Sequence, residues 1–551
     1  MASLKPTTRL QTHEVINQPP VLENINLYNF DAALNEAVNR EGGGWAAASL
    51  HALGERVGSA EVQEWAEQAN RNPPQLRAFD RFGQRIDEVE FHPAYHRLMA
   101  LGIEHGISAC AWTADQGGHV THSAMLYLMT LADPGVCCPM SMTYAVIPTL
   151  RYNSAIANEW EPRILAARYD QSVRPADEKS GVTLGMAMTE KQGGSDLRSN
   201  TTRATPLPAD GAFELVGHKW FCSAPMSDAF LSLATTDAGL SCFLVPRWRP
   251  DGTRNAIQIL RLKDKLGDRS NASSEIEYHG AWARLIGEPG HGIRTIIEMV
   301  QGTRLDCMIG STALMRATLT HALWHCTHRR AFGSELIKQP AMAKVLADLV
   351  IEQEGAVAMS FRVARAFDDA HSSEQAGALA RILTPIAKYW ICKRAPGFVY
   401  EAMECLGGGG YVEESPLPRL FRQAPVNSIW EGSGNIIALD TLRALKREPR
   451  VLDALLAELE PARGADRYLD AKIESLKKLL GAGELDDASA RYCVESMALA
   501  CQGAILFKTA PSYLAEAFAE TRLRANPSFT YGAFRGAIDT AVLISRASPA
   551  N

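Results

Sequence analysis

The stretch NSIWEGSGN, residues 427–435, places a single carboxylate, Glu431, between a tryptophan and a glycine-rich turn. Partial removal from water raises the pKa of an acid and makes its carboxylate a stronger base. Glu431 is therefore a candidate for a base that takes a proton from a substrate. The alternative interpretation is structural, because an acidic residue in the first turn of a helix complements the helix dipole by roughly 0.3–1 kcal/mol. The stretch alone leaves both interpretations open.

A second stretch, MTEKQGGSD at residues 188–196, follows an apolar run that predicts a strand. Its small residues would let backbone N–H groups approach an anion or a flat ring closely. The same residues also suit an ordinary turn. Neither this stretch nor GGGG at residues 407–410 has the GxGxxG or GxxxxGKS/T pattern, and GGGG follows a predicted helix instead of a strand. We therefore do not expect one of the common nucleotide-binding folds.

The composition is that of an ordinary globular protein. The 551 residues are 46% hydrophobic and 21% charged, and the formal net charge of −6 gives no overall attraction to nucleic acid or anionic membranes. We find no apolar core of a signal peptide and no apolar run of about 18 residues that would span a bilayer. The 11 cysteines are scattered without metal-binding spacing. We expect a cytoplasmic protein with reduced thiols, no metal site and no membrane contact.

Four regions of different composition follow one another along the chain. Residues 1–182 predict an N-terminal helical domain, since they are rich in helix-compatible residues. Residues 183–290 contain short β-branched and aromatic runs separated by turn residues, which predict a β-domain. Residues 291–445 have the long apolar helical patterns of a bundle, and residues 446–551 predict a helical C-terminal extension. The fold class is mainly α with one β-domain.

Five motifs in this order resemble those of the acyl-CoA dehydrogenase family. They are MTEKQGGSD, HKWFCS from His218, TRLDC from Thr303, RRAFG with Gln339 downstream, and CLGGGGY together with IWEGSGN. The resemblance implies an N-terminal helical domain, a central β-barrel-like domain and a C-terminal helical bundle. It also implies an enzyme that uses FAD to dehydrogenate an acyl-CoA thioester between its α- and β-carbons.

The remaining parts of the chain resemble one branch of that family, the alkylation-response or AidB-type flavoproteins. The resemblance rests on QTHEVINQP, LYNFDAALNEAVNREG, NPPQLRAFDRFGQRIDEVEFHP and the long extension. That branch is implicated in protecting DNA from alkylating agents, keeps the flavin and has at most weak dehydrogenase activity. Two functions therefore stay open. One is a flavoenzyme acting on an acyl thioester, and the other is a DNA-binding protective protein whose flavin is mainly structural or scavenging.

The family resemblance also assigns roles to individual residues. Glu431 corresponds to the catalytic base, and Arg304 to an arginine of the catalytic site near the flavin. Residues expected to bind FAD within one subunit are Met186, Met188, Thr189, Gly194, Ser195, Phe221, Cys222, Ser223, Trp430, Ser433 and Asn435. Arg329, Gln339 and Gly408 are expected to contact the FAD of a neighbouring subunit. This implies at least a dimer and, by resemblance, a homotetramer.

Two departures from the family pattern concern the substrate and the cofactor. Trp430 would narrow the acyl pocket, and Glu404 places a carboxylate where many relatives have an amide. Because a carboxylate near the FAD diphosphate is unfavourable, we expect Glu404 to turn away or to pair with a cation. The sequence identifies neither the acyl chain nor the electron acceptor.

Binding of the extension to DNA is a weaker expectation. Its basic and acidic residues balance, so its composition does not predict DNA binding, and solvated helix faces are the alternative interpretation. Non-specific binding to double-stranded DNA would require cations on one face, and Arg522, Arg524 and Arg535 are the candidates. Such contacts would be to phosphate and strongly salt-dependent.

Overall fold

A computed structural model describes residues 6–208, 211–481 and 486–549 of the chain. The N-terminal helices are α1 Ala32–Arg40, α2 Ala47–Val57, α3 Ala60–Arg71, α4 Pro93–Glu104, α5 Cys110–Thr113, α6 Gly118–Ala132, α7 Pro134–Ala145, α8 Ile147–Leu150 and α9 Ser154–Leu165. Asp31, Ser59 and Asn153 cap α1, α3 and α9 by accepting hydrogen bonds from backbone N–H groups. All of α6 is buried, because the other N-terminal helices and the bundle surround it.

One segment of this N-terminal region is not helical. NPPQLRAFDRFGQRIDEVEFHP forms an antiparallel hairpin of β1 Gln75–Phe79 and β2 Arg85–Glu90. The Asp80 carboxylate accepts the N–H groups of Phe82 and Gln84 and so closes the turn between the strands. The hairpin packs on the β-domain, where the N–H of Ile259 donates to Asp87 at 2.8 Å. The helical composition of the region did not predict this element.

The β-domain is a barrel-like sheet of seven strands. These are β3 Leu184–Ala187, β4 Arg203–Pro206, β5 Ala212–Ser223, β6 Ala229–Thr236, β7 Gly239–Pro246, β8 Ile257–Leu262 and β9 Ser273–Ile286. The order is β3-β6-β4-β5-β9-β7, with β8 paired to β9 outside this path, and an additional pairing of β6 with β7 closes the ring. Strand β3 joins β6 in parallel, with Leu184 opposite Ala229, whereas β5 and β9 are antiparallel over most of their length.

Three long helices form the bundle: α10 Gly292–His328, α11 Pro340–Asp369 and α12 Glu374–Glu404. A small hairpin of β10 Arg330–Ala331 and β11 Ser334–Glu335 connects the first two helices. Three shorter helices follow: α13 Gly408–Tyr411, α14 Leu417–Gln423 and α15 Gly434–Arg447. The middle parts of the long helices are buried almost all round, since they contact each other, the N-terminal helices and the extension.

The C-terminal extension covers one side of the bundle. Its helices are α16 Pro449–Leu459, α17 Arg467–Gly481, α18 Ala490–Thr509, α19 Ser512–Phe518 and α20 Thr540–Ala547, and a π-helical turn, Ala519–Leu523, continues α19. Helix α18 is buried over most of its length against α11, α12 and α15. The extension therefore belongs to the same packed core as the bundle.

The expected cation cluster around Arg522, Arg524 and Arg535 does not form. Arg522 is directed into the protein, where its guanidinium makes ion pairs with Asp348 at 2.6 Å and Glu352 at 3.0 Å. Arg524 pairs with an acidic residue of its own helical turn. Arg522 therefore connects the extension to α11 and is not available to a phosphate. A sequence count of charges could not reveal this, because burial depends on the tertiary contact.

None of the helices within the described residues is long and apolar enough to cross a membrane.

Candidate active site

Glu431 lies in a tight turn immediately before a helix. Its φ of +57° is in the left-handed region that residues with a side chain adopt rarely and at an energetic cost. Helix α15 begins at Gly434 with Ser433 as its N-cap residue, and no acidic residue lies in its first turn. The Glu431 carboxylate accepts a hydrogen bond from Thr303 and does not cap the helix. Its position therefore does not support the helix-dipole interpretation.

Three side chains from two bundle helices hold this turn. The Thr303 hydroxyl donates to Oε2 of Glu431 at 2.8 Å, and Nε of Arg304 donates to the backbone oxygen of Glu431 at 3.0 Å. Nζ of Lys388 donates to the backbone oxygens on either side of Glu431, at 2.9 and 2.6 Å. The strained backbone is thus fixed on both sides, which orients the carboxylate.

Burial raises the pKa of Glu431 above its ordinary value of 4.5. The hydrogen bond from Thr303 and the positive charges of Arg304 and Lys388 act in the opposite direction. Arg304 also pairs with Asp440 at 3.0 Å, which compensates part of its charge. The outcome is a carboxylate that is more basic than an exposed one and that has a donor to stabilise its ionised form.

The stretch MTEKQGGSD begins where β3 ends, and a buried ion pair anchors it. Glu190 and Lys219 are fully buried and lie 2.7 Å apart. The Glu190 carboxylate also accepts hydrogen bonds from the backbone N–H and the hydroxyl of both Thr201 and Thr202. With this carboxylate directed inward, Ser195 remains exposed on the outer side of the loop.

Other predicted residues of this loop lie beside that outer side. Met186 and Met188 are partly buried against the cluster formed by the N-terminal helices and the β-domain, while Ala187 between them is in the core of the β-domain. Thr189 approaches Gly194 so closely that a Cβ at Gly194 would lie 3.0 Å from the threonine methyl group. The close approach explains why a glycine occupies this position.

Strand β5 presents an aromatic surface next to the loop. Phe221 is 45% exposed and Trp220 is 36% exposed, and their ring centroids are 5.0 Å apart. The backbone N–H of Trp220 donates to the carbonyl of Thr189 at 2.8 Å, so the strand and the loop form one surface. Exposed aromatic rings beside a loop with accessible polar groups can hold a flat heteroaromatic ring.

Cys222 does not share this surface. Its side chain is fully buried in the core of the β-domain. An irregularity of β5 between Lys219 and Cys222 leaves Trp220 and Phe221 both exposed and returns Cys222 to the inner face. The expectation of a cofactor contact is therefore corrected for the Cys222 thiol. Ser223 is partly buried, and its hydroxyl lies 3.2 Å from that of Ser273. Burial, and more weakly the charges of Asp268 and Glu431, raise the pKa of the Cys138 thiol of α7. The N-terminal domain, the β-domain and the catalytic turn thus meet here.

Arg329, Gln339 and Gly408 lie at a different place. Arg329 follows the end of α10, and its Nη1 donates to the backbone oxygen of Asn17 at 2.6 Å. Nε2 of Gln339 donates to the backbone oxygen of Ala331 at 2.9 Å. Gly408 opens α13 at the surface, where an added Cβ would meet nothing within 4 Å.

The geometry separates these three residues from Glu431. Along helix α10, residues 303 and 329 are about 39 Å apart at a rise of 1.5 Å per residue. The Cys326 thiol contacts the backbone oxygen of Cys405, which brings the glycine run to the same end of α10 as Arg329. The predicted site residues therefore form two groups, one around Glu431 and one at the far end of the bundle.

The residues flanking Glu431 have defined partners. The Trp430 indole N–H donates to Oδ1 of Asn427 at 3.0 Å, which fixes the ring. Oδ1 of Asn435 accepts from Nε of Arg491 at 2.7 Å, so the extension orients this amide. Ser433 is exposed, and within the described ranges its side chain makes no capping hydrogen bond. Glu404 is exposed as well, and its carboxylate raises the pKa of Tyr400.

Several residues that hold the site were not predicted: Thr303, Lys388, Glu190, Lys219 and Cys138. Lys388 and Lys219 have a signal in the sequence, since each is a single cation within an apolar run, TPIAKYWIC and HKWFC. A lysine at such a position requires a buried partner. The identity of that partner is not readable from spacing, because Lys388 bonds backbone oxygens of a distant turn.

Within the part of the chain that the structure describes, no group of three or more His, Cys, Asp or Glu side chains could hold a metal ion.

Three family models match successive parts of the chain. The N-terminal domain of the adaptive response protein AidB matches residues 17–171. The middle domain of acyl-CoA dehydrogenases matches residues 185–281, and their C-terminal domain matches residues 290–446.

Individual proteins are similar over most of the chain. AidB of Escherichia coli (strain K12) is 47% identical over 516 residues, which are 93% of this chain and 95% of that protein. Acyl-CoA dehydrogenase family member 11 of Caenorhabditis elegans is 32% identical over 449 residues, 78% of this chain and 72% of that protein.

Solved structures agree with the fold. Caenorhabditis elegans ACDH-11 in complex with C11-CoA matches with a TM-score of 0.84 and 28% identity, covering 94% of each chain. An acyl-CoA dehydrogenase from Bacillus anthracis complexed with FAD is 16% identical and has a TM-score of 0.66, covering 89% of this chain and 85% of that one. The second likeness concerns the fold alone. The predicted fold class is confirmed.

Proposed function

Because the chain belongs to the acyl-CoA dehydrogenase family, in its AidB-type branch, we propose that it is an FAD-dependent oxidoreductase acting on an acyl-CoA thioester. The family prediction from the sequence motifs is confirmed by these matches. The observation that carries the proposal is the Glu431 turn. A partly buried carboxylate of raised pKa is held in a strained backbone that Arg304 and Lys388 anchor on both sides.

FAD fits the residues that are present. The exposed rings of Phe221 and Trp220 offer a face for a flat ring, and the exposed side of the loop that carries Ser195 offers hydroxyl and N–H groups. Met188 and Thr189 would line the edge of this surface, with Ser433 reaching it from the other side. When bound, FAD supplies the two-electron acceptor for a hydride that leaves the substrate.

Glu431 would supply the base of the reaction. The carboxylate takes the proton from the α-carbon of the acyl thioester while the hydrogen on the β-carbon leaves with its electron pair, so that an α,β-double bond forms. Thr303 donates to Oε2 in the ionised form and holds the carboxylate in place between turnovers. Arg304 and Lys388 act on the backbone of the turn, so we propose them as positioning residues.

An acyl-CoA as the substrate class is supported by the family, and ACDH-11 was crystallised with C11-CoA. Trp430 is fixed by Asn427 at the turn. We propose that this immobile ring limits the room for the acyl chain and keeps turnover low.

The test is an anaerobic titration of the FAD-loaded protein with short, branched and long acyl-CoAs, followed by the absorbance of the oxidised flavin. We expect wild-type protein to bleach and Glu431→Gln to bleach at least about 100-fold more slowly, the range that a general base contributes. Glu414→Gln, which removes an exposed carboxylate that the site does not use, is the control and should behave as wild type.

The comparison requires that the Glu431→Gln protein still binds FAD. Absence of bleaching in FAD-loaded wild-type protein with every acyl-CoA would refute the dehydrogenase proposal. Equal bleaching rates in wild type and Glu431→Gln would refute the role of Glu431.

We also propose that the protein is a homotetramer in which the second group of residues serves a neighbouring subunit. Arg329 ends α10 about 39 Å along the helix from Thr303, the partner of Glu431, too far to contact the flavin ring bound there. Gln339 and Gly408 belong to the same far end of the bundle. An arginine is suited to the diphosphate of a dinucleotide, since its planar donors can bind two oxygens. The geometry supports a cofactor that is shared between subunits.

A second candidate function, protection of DNA in the adaptive response, is supported by the match of residues 17–171 to the AidB N-terminal domain. Arg522 cannot take part in phosphate binding, because it is paired inside the protein. Other cations, at the end of α15, are exposed. Arg443, Lys446 and Arg447 lie at i, i+3 and i+4 near the end of α15 and so share one face of that helix. We propose this face as the contact for duplex phosphates.

The DNA proposal predicts a strong salt dependence. Affinity for a duplex oligonucleotide should fall steeply between about 50 and 200 mM salt, and replacing Arg443, Lys446 and Arg447 by Gln should reduce the slope of log affinity against log salt by up to about three. Gel-shift or anisotropy titrations measure both. A salt-independent affinity, or a slope unchanged in the triple variant, would contradict this contact.

A further inference from the structure

A cavity of about 170 Å³ lies in the β-domain, separate from the surface described above. Cys222 lines it, and the side chain of Cys222 points away from the exposed ring of Phe221. Its other walls come from β6, β8 and β9, from the segment after β7, and from the N-terminal hairpin through Arg85. The cavity therefore forms only where the N-terminal domain packs on the β-domain.

The lining of the cavity combines an apolar wall with an excess of positive charge. Three guanidinium groups, those of Arg85, Arg247 and Arg254, face one carboxylate, that of Asp87. Asp87 is already engaged, because it pairs with Arg85 at 2.8 Å and accepts the N–H of Ile259. Arg85 is thus neutralised, and the charges of the other two arginines remain.

Arg247 and Arg254 have no ion-pair partner within 4.0 Å among the described residues. Arg247 makes one long hydrogen bond from its guanidinium, 3.5 Å to the backbone oxygen of Met226. Arg254 lies over the ring of Trp248, with 5.8 Å from its guanidinium carbon to the ring centroid. The nearby carboxylate of Asp228 is not available to these arginines, because it pairs with Lys179 at 2.8 Å.

The electrostatics of the site agree with this geometry. Burial, and then the positive charge of Arg254, lower the pKa of Arg247 to about 10. Asp228, Glu88 and Asp87 act in the opposite direction but do not outweigh these two effects. Two neighbouring guanidinium groups that lack compensation are unfavourable in a partly dry cavity. An anion between them would remove this cost.

We propose that this cavity is a binding site for a phosphate group, held by Arg247 and Arg254. Guanidinium groups bind phosphate oxygens in bidentate geometry, and a phosphate dianion matches two uncompensated positive charges. The volume is smaller than the roughly 300–1,000 Å³ of pockets for drug-sized ligands. The ligand is therefore inorganic phosphate or a phosphomonoester with a short organic part, which the apolar wall formed by Phe230, Ile259 and Ile276 would contact.

Calorimetric titration of the full-length protein in Tris chloride tests this site. We expect one inorganic phosphate per chain with a Kd of about 1 mM or tighter. Arg247→Gln and Arg254→Gln should each weaken binding at least about tenfold, because each removes a charge-assisted bidentate contact. Arg203→Gln removes an exposed charge from β4 of the same sheet and should leave the affinity unchanged.

The two sources of a phosphate group are separated by a second titration with glycerol 3-phosphate. Tighter binding of the ester identifies a phosphomonoester site, and tighter binding of inorganic phosphate identifies a site for the free anion. Both outcomes support the proposal. No saturation of the wild-type protein by about 10 mM of either ligand overturns it, as does an equal loss of affinity in Arg203→Gln. The saturation test uses the wild-type protein alone. The proposal can therefore be refuted even when an arginine variant fails to fold.

Discussion

The basicity of Glu431 results from opposing effects that act on one side chain. Burial raises the pKa of its carboxyl, while a hydrogen bond from Thr303 and the charges of Arg304 and Lys388 lower it. One pKa unit corresponds to about 1.4 kcal/mol, so the loss of a single partner changes the pH range of activity measurably. Thr303 is the partner whose removal leaves the backbone contacts of the turn intact.

We predict that Thr303→Val shifts the ascending limb of the pH–rate profile upward by about one pH unit, the equivalent of one hydrogen bond to a charged group. Only the ionised carboxylate accepts the α-proton, so activity rises as pH passes through the pKa of Glu431. Valine removes the donor that stabilises the ionised form, and that pKa therefore increases. Flavin bleaching rates as a function of pH measure the shift.

Thr303→Ser is the matched control, because it keeps the hydroxyl and should keep the wild-type profile. An unchanged limb in Thr303→Val, or a downward shift, would show that the hydroxyl does not stabilise the ionised carboxylate.

At the scale of elements, the flavin surface depends on the connection between the loop at residues 188–196 and strand β5. The buried pair of Glu190 and Lys219 makes this connection, supplemented by Thr201 and Thr202. Removal of one partner of a buried ion pair leaves an uncompensated charge, which costs about 3–5 kcal/mol. The geometry of the loop and the stability of the β-domain are therefore linked.

Lys219→Met is expected to lower the free energy of unfolding by about 3–5 kcal/mol, because Glu190 stays buried without its cation. The double variant Glu190→Gln with Lys219→Met should recover a large part of that loss. Urea unfolding monitored by tryptophan fluorescence compares the three proteins. A double variant that is no more stable than Lys219→Met would contradict the assignment of the cost to the unpaired charge.

The same pair sets a dependence of stability on pH. Burial alone would raise the pKa of Glu190, but the charge of Lys219 and the hydrogen bonds outweigh burial, and the pKa lies at about 2. A folded-state pKa below the ordinary value of 4.5 means that the stabilisation is present above pH 4.5 and is lost as the pH falls toward 2. This loss should be absent from the acid unfolding curve of the double variant.

At the scale of the whole molecule, the two groups of site residues lie at opposite parts of the bundle. The hairpin between α10 and α11 lies beside the second group and carries Phe332 at its tip, where the side chain is 99% exposed. A fully exposed phenylalanine next to Arg329 and Gln339 is typical of a contact between subunits.

Phe332→Asp is therefore predicted to reduce the assembly below a tetramer, because a charge at a buried contact is costly. Light scattering coupled to size-exclusion chromatography measures the mass, and flavin absorbance measures FAD per chain, which should fall in parallel. Phe82→Asp is the control, because Phe82 lies at the tip of the β1–β2 hairpin with its side chain 71% exposed. This variant should leave the mass unchanged. A tetramer of Phe332→Asp would contradict this contact, and a monomeric FAD-loaded wild type would contradict the shared cofactor.

The local patterns of the chain were sufficient for its fold class. Runs such as AFLSLATT and LSCFLVP have the composition of buried strands, and they became β6 and β7. The position of Glu431 in a turn followed from the glycines around it. Two hairpins were missed, β1–β2 and β10–β11, because their strands are short and lie between helices.

The partners of the site residues required the tertiary structure. Thr303, Lys388 and Glu431 are far apart in sequence, and only the packing of α10 against α12 brings them to one turn. Arg522 looked like a surface cation by composition, yet the docking of the extension on α11 buried it between two carboxylates. The sequence by itself determined the elements and the family, because these depend on local pattern. The tertiary structure alone decided which charges are paired and which remain free, because desolvation and ion pairing depend on contacts between distant segments.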